Sequence, residues 1–153
     1  GIISCQAYAE DTVIVNDHDI SAIKDCWQKN SDDDTDVNVI KSCLRQEYNL
    51  VDAQLNKAYG EAYRYIEQVP RTGVKKPDTE QLNLLKKSQR AWLDFRDKEC
   101  ELILSNEDVQ DLSDPYSESE WLSCMIIQTN TRTRQLQLYR NSEDFYPSPL
   151  TRG

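Results

Sequence analysis

Histidine is almost absent from this chain: His18 is the single copy in 153 residues. A Ser/His/Asp or Cys/His nucleophile needs an imidazole beside the reacting group, and one histidine in a terminal segment does not supply it. Zinc is poorly served as well, because no two cysteines have the C-x-x-C spacing of a ribbon or redox motif. Glycine is scarce, with four in total and only Gly60 and Gly73 in the interior. Few glycines and widely separated prolines disfavour a sheet with many tight turns and suit long helices. No segment approaches the roughly 20 consecutive apolar residues that a membrane helix needs. Basic residues are also short, 18 Lys and Arg against 27 Asp and Glu, for a net charge of −9. A phosphate-binding face needs clustered cations, so nucleic acid is excluded as a partner.

What remains is a chain of one-domain length with a modest apolar share of 38%. A thin core in a small domain favours cross-links. Five cysteines are present, at 5, 26, 43, 100 and 124. Spread in this way, they fit disulfides in an oxidising compartment. With one left over, five cysteines allow about fifteen two-bridge patterns, so pairing needs a structural argument.

Hydrophobic periodicity supplies the layout. Ile20, Ile23 and Trp27 mark a short helix over residues 19–28. A polar run, 29–36, follows. Ile40, Leu44, Tyr48, Val51, Leu55, Ala58, Ala62, Tyr65 and Val69 then form one stripe over 37–69, with Asp36 as its N-cap. Gly60 interrupts that stripe, as a site of close helix packing or a bend, and Pro70 ends it. A third helix spans 78–104, its buried side given by Leu82, Leu85, Trp92, Phe95, Leu102 and Ile103. Asp114-Pro115 and the capping-box spacing of Ser117 and Glu120 open a fourth, which runs to about residue 140 with Trp121, Met125, Ile126, Leu136 and Tyr139 apolar. The expectation is an all-α domain over residues 19–140, a small disulfide-stapled antiparallel bundle of about four helices. Residues 1–18 read as an N-terminal segment and 141–153 as a tail.

This layout suggests a pairing. Cys26 and Cys43 straddle one loop, Cys100 and Cys124 another, so bridges 26–43 and 100–124 cross no other helix. Cys5 is then the odd one. Ile2-Ile3-Ser4-Cys5 is close to a lipoprotein cleavage box, which would make Cys5 a lipid anchor, whereas Ala7-Tyr8-Ala9 has the form of an ordinary signal-peptidase site. The third reading is an ordinary terminus; all three are compatible with export to the periplasm or the cell exterior, as a secreted protein or an anchored lipoprotein.

Several residues combine into a recognisable pattern. Cys43 is followed by Asp52, Leu55, Asn56 and Tyr59; then come Gln89-Arg90-Ala91-Trp92, Phe95-Arg96-Asp97 and Cys100; then Cys124, Thr129, Arg132 and Leu136. The chain resembles the LprI-like lysozyme-inhibitor family of bacterial envelope proteins over roughly residues 26–139. It departs from the family in the loop before the last cysteine, which is acidic here and lacks the usual glycines. The resemblance implies a helical exported domain and, for some members, inhibition of lysozyme.

Each candidate also has a plainer role. Arg90, Arg96 and Asp97 read as braces between helices, Trp92 and Phe95 as packing, and Asn56 and Tyr59 as makers of buried hydrogen bonds. Asp32, Asp33, Asp34 and Asp36 imitate the start of a calcium loop, but its sixth position is Val37 and its twelfth Cys43, so a solvated acidic loop is the better reading. No carboxylate pair among the 27 acids is singled out for hydrolysis. The chain therefore reads as a binding protein and not an enzyme, with no catalytic residue, no metal and no cofactor. Its expected partner is a basic protein, most concretely a lysozyme, met by the acidic segments containing Asp32, Asp33, Asp34, Asp36, Glu107, Asp108 and Asp111. The alternative is an immunity or adaptor protein for a toxin or secretion-system component in the periplasm. No motif specifies an oligomeric state.

Overall fold

A computed structural model describes residues 17–28, 37–68, 79–105 and 115–141. They form four helices: α1 (Asp17–Gln28), α2 (Val37–Gln68), α3 (Thr79–Ser105) and α4 (Pro115–Asn141). No strand occurs among the described residues. Cys5, the Asp36 cap, Val69, the seven acidic candidates between 32 and 111, and both terminal segments lie outside them.

Two apolar clusters fix the arrangement. At one end, Ile40, Leu44 and Val51 of α2 meet Leu122 and Ile126 of α4 and Ile23 and Cys26 of α1. At the other, Leu55, Ala58, Ala62 and Ile66 of α2 meet Leu136 and Tyr139 of α4 and Leu82 and Leu85 of α3. The N-terminal halves of α2 and α4 therefore lie together and so do their C-terminal halves, which makes this pair parallel. The α2–α4 interface is the most extensive in the molecule. Helices α1 and α3 run antiparallel to it; α1 covers the end of the first cluster, while α3 spans both ends, from Leu82 and Leu85 to Cys100.

The stripe of α2 appears largely as periodicity predicts, with Ile66 inward where Tyr65 was expected, because the spacing 51, 55, 58, 62, 66 keeps closer to the helical repeat. Gly60 makes neither a close contact with another helix nor a break in α2. A methyl there would touch only the Arg64 side chain, at 3.6 Å. The fourth helix starts at Pro115, so Ser117 lies inside it and is buried instead of acting as a cap.

Helix α3 departs most from expectation. Its inward arc is Leu82, Leu85, Gln89, Arg96, Cys100 and Leu104, all buried. Phe95 (53% exposed), Leu102 (57%) and Ile103 (41%), expected in the core, face out, as does Leu84 (56%). Polar Gln89 and Arg96 occupy the inner face, so apolar spacing alone pointed to the wrong side.

Those polar residues are satisfied from α4. Arg132 Nε donates to Gln89 Oε1 at 2.9 Å, and Arg132 also reaches Gln135 and, at 3.4 Å, Ser88 Oγ. Arg96 Nη1 donates to Thr129 Oγ1 at 3.4 Å and Arg96 Nε to Asp97 Oδ1 at 3.0 Å. The Arg96 guanidinium also lies over Trp92, 5.3 Å from the ring centroid. Among the described residues no buried side-chain nitrogen or oxygen lacks a partner. A thin apolar core is thus completed by a polar layer that is tolerable only because it is fully paired.

Candidate functional site

One end of the bundle is cross-linked twice. Cys26 is bonded to Cys43 (Cα–Cα 5.5 Å) and Cys100 to Cys124 (Cα–Cα 5.6 Å), the pairing suggested by helix order. The contacts around them are aromatic and ionic. Trp27 meets Tyr116 edge-on at 5.6 Å and donates from Nε1 to Ser123 Oγ at 3.0 Å. Arg45 and Lys41 of α2 both pair with Glu118 of α4, and Arg45 lies over Trp121 at 5.9 Å. Trp121 in turn meets Tyr48 at 6.2 Å. Burial pushes the Tyr48 phenol up from its ordinary value, with Arg96 opposing.

The stapled end also carries the helix termini from which both acidic segments depart. Residues 29–36 join Gln28 to Val37, and 106–114 join Ser105 to Pro115. All four termini belong to this end, since the bridges hold the C-terminal part of α1 to the start of α2 and that of α3 to the start of α4. The segments hold Asp32, Asp33, Asp34 and Asp36, and Glu107, Asp108, Asp111 and Asp114, against the single cation Lys29. Both acidic segments therefore begin and end on helices of the cross-linked frame.

A second feature gathers the motif residues. Helices α2 and α3 meet over only a small area. Between them lies an open cleft of about 380 Å³, lined by Asp52, Leu55, Asn56 and Tyr59 of α2 and by Lys86, Gln89, Arg90 and Leu93 of α3. Both helices contribute residues at positions i, i+3, i+4 and i+7, one face of each. Asn56 and Arg90 are exposed here, so Asn56 makes no buried hydrogen bond and Arg90 braces no buried layer. Tyr59 is half-buried; burial raises its phenol, neighbouring Tyr63 adds to this, and Arg90 opposes it. Lys86 sits over the Tyr63 ring at 5.5 Å. A larger cleft, about 430 Å³, opens between α2 and α4 but takes in only Gln54, Lys57, Ala58 and Glu61 with Thr133 and Gln137.

The motif thus divides. Gln89, Trp92, Arg96, Cys100, Thr129 and Arg132 brace α3 against α4, while Asp52, Leu55, Asn56, Tyr59 and Arg90 edge the cleft. Asp97 is surface-exposed and holds Arg96, and Phe95 takes part in neither. Sequence reasoning missed Lys86 and Leu93 of the cleft; their spacing from Gln89 and Arg90 was the available signal. It also missed Asp19 of α1, buried, which accepts from Asn130 Nδ2 and Arg134 Nη1, both at 3.0 Å, and ties α1 to α4.

Comparison with known proteins assigns the family. A family model described as lysozyme inhibitor LprI matches residues 26–136, a span from the first bridged cysteine to the last buried leucine of α4. The chain belongs to this lysozyme-inhibitor family. An uncharacterized protein of Rhizobium meliloti (strain 1021) is 36% identical over 62 residues, which is 39% of this chain and 45% of that relative. The aligned stretch therefore spans less than half of the relative's length. No solved structure matches.

Proposed function

We propose that this chain is an exported inhibitor that binds a lysozyme and blocks it without being turned over. The family match over residues 26–136 carries the reading. Two further features support it. Two disulfides in so small a domain suit an oxidising compartment such as the periplasm or the cell exterior. The eight acids of residues 29–36 and 106–114, anchored at one end of an acidic protein, suit a cationic enzyme. Such charges act mainly on the encounter rate and its salt dependence. The cross-linked frame limits the ordering cost of binding at that end.

Lysozyme activity titrated with this protein tests the proposal. The expected result is inhibition that saturates with added protein and weakens as salt rises. Replacing Asp32, Asp33, Asp34 and Asp36 by Asn should slow association, and so should Glu107→Gln with Asp108→Asn and Asp111→Asn. Absence of inhibition at micromolar concentration across several lysozyme types would overturn it.

A further inference from the structure

The outward face of α3 carries an apolar stripe that no other described helix covers. Leu84 (56% exposed), Phe95 (53%) and Leu102 (57%), with exposed Ala91, fall on one line of the helix, opposite its buried arc. Their spacing is seven, four and seven, the repeat of a helix–helix seam. Two further properties identify the occupant.

The stripe is symmetric about residue 93. Leu84 and Leu102 lie nine residues on either side of it, and Ala91 and Phe95 two. An identical helix running the other way therefore sets Leu84 against Leu102 and the small Ala91 against the large Phe95, twice over. A parallel copy would set Phe95 against Phe95 and Ala91 against Ala91, crowding one level and leaving a gap at the other.

Charge follows the same symmetry. Residues 84–90 hold Lys86, Lys87 and Arg90 and no acid; residues 94–101 hold Asp94, Asp97, Glu99 and Glu101, with Arg96 buried and Lys98 paired to Asp94. Reversing one copy brings the basic half of each helix to the acidic half of the other. Lys87 then stands within about two residues, roughly 3 Å of helix rise, of Glu101 across the seam. A parallel copy would oppose like charges along the whole length.

We propose that α3 pairs antiparallel with α3 of a second copy of this chain, forming a two-fold dimer whose axis crosses the seam at the level of residue 93, between Ala91 and Phe95. The pairing is isologous and closes on itself. It covers about 27 Å of helix, the 18 residues between Leu84 and Leu102 at 1.5 Å each, an interface at the small, reversible end of the range. The stapled ends then point in opposite directions, so each dimer offers two acidic ends. This assembly does not depend on what those ends bind.

Analytical ultracentrifugation of the full chain from about 1 to 500 µM, with its disulfides intact, tests the pairing. The expected mass doubles across this range, a weak-interface affinity. Phe95→Glu, at an exposed position, keeps the helical circular dichroism and stays monomeric. Lys87→Glu or Glu101→Lys alone weakens the dimer several-fold, and the two together in one chain restore it. Only an antiparallel seam predicts that rescue. A monomer at 500 µM overturns the proposal, as does a dimer indifferent to Phe95→Glu. A wild-type monomer whose binding to lysozyme is lost in Phe95→Glu also overturns it and gives the stripe to the enzyme. Inhibition is read separately, so loss of either proposal leaves the other standing.

Discussion

The two ends of this bundle are held by different means. At the stapled end, α1, α2, α3 and α4 are joined by two disulfides, an Arg45/Lys41–Glu118 ion pair and a tryptophan–tyrosine layer. At the open end, α2, α3 and α4 are held without a covalent link, by Leu55, Ala58, Ala62, Ile66, Leu82, Leu85, Leu136 and Tyr139, with Tyr59, Tyr63 and Trp92 packed against them, and by the Arg132–Gln89 hydrogen bond. The cross-linked end holds the helix termini between which the acidic segments run; towards the other, α2 and α3 part to form the cleft. A chain with a thin apolar core has placed both of its covalent links at the end from which the two acidic connections depart.

Removing both bridges, with all four cysteines changed to serine, has the largest expected effect. About 2–4 kcal/mol should be lost for each, measured by denaturant unfolding. Hydrogen exchange should rise first in the N-terminal half of α2. If the C-terminal half opened first, the contrast between the ends would be wrong.

Leu136→Ala comes next, since Leu136 is fully buried and the open end has no bridge. It should cost about 2–5 kcal/mol and raise exchange at that end alone. Arg132→Ala, which strips the partner from Gln89 in the polar layer between α3 and α4, should cost about 1–3 kcal/mol. Gly60→Ala has the opposite sign: the site is open enough for a methyl, so about 0.5–1 kcal/mol should be gained in thermal or denaturant unfolding.

The smallest effect is a pH dependence shared between the ends. Tyr48, at the stapled end, and Tyr59, in the cleft, are both raised above the ordinary tyrosine value by burial. The folded state therefore keeps its phenols protonated when the unfolded chain has begun to release them. Stability present below about pH 10 should fall as pH rises through the raised folded values. Tyr48→Phe and Tyr59→Phe, compared in alkaline denaturation, separate the contributions of the two ends.

Much of this was legible in the chain. Helix number and bounds followed from periodicity and sparse glycine, and helix order suggested the bridges. The α3 face did not follow, because Gln89 and Arg96 lie inward while Leu84, Phe95 and Leu102 lie outward. An apolar pattern cannot locate a face whose buried residues are polar and satisfied by another helix. Helix α4 hides its packing for a related reason: it is covered by three neighbours, and Thr129, Arg132 and Thr133 sit inside with Leu122 and Ile126. The family motif was readable too, but its residues were taken together as scaffold, although Asn56 and Arg90 stand exposed at the rim of a cleft.

By itself, the sequence determined the helices, the family and a covalent framework, because helical repeat, turn residues and cysteine positions act over short stretches of chain. The tertiary structure alone decided that α2 and α4 are parallel partners at the centre, that the motif divides between a polar brace and an open cleft, and that an apolar stripe is left outside. Those outcomes depend on which side of each helix finds a partner, and partners far apart in the chain are set only when all four helices pack at once.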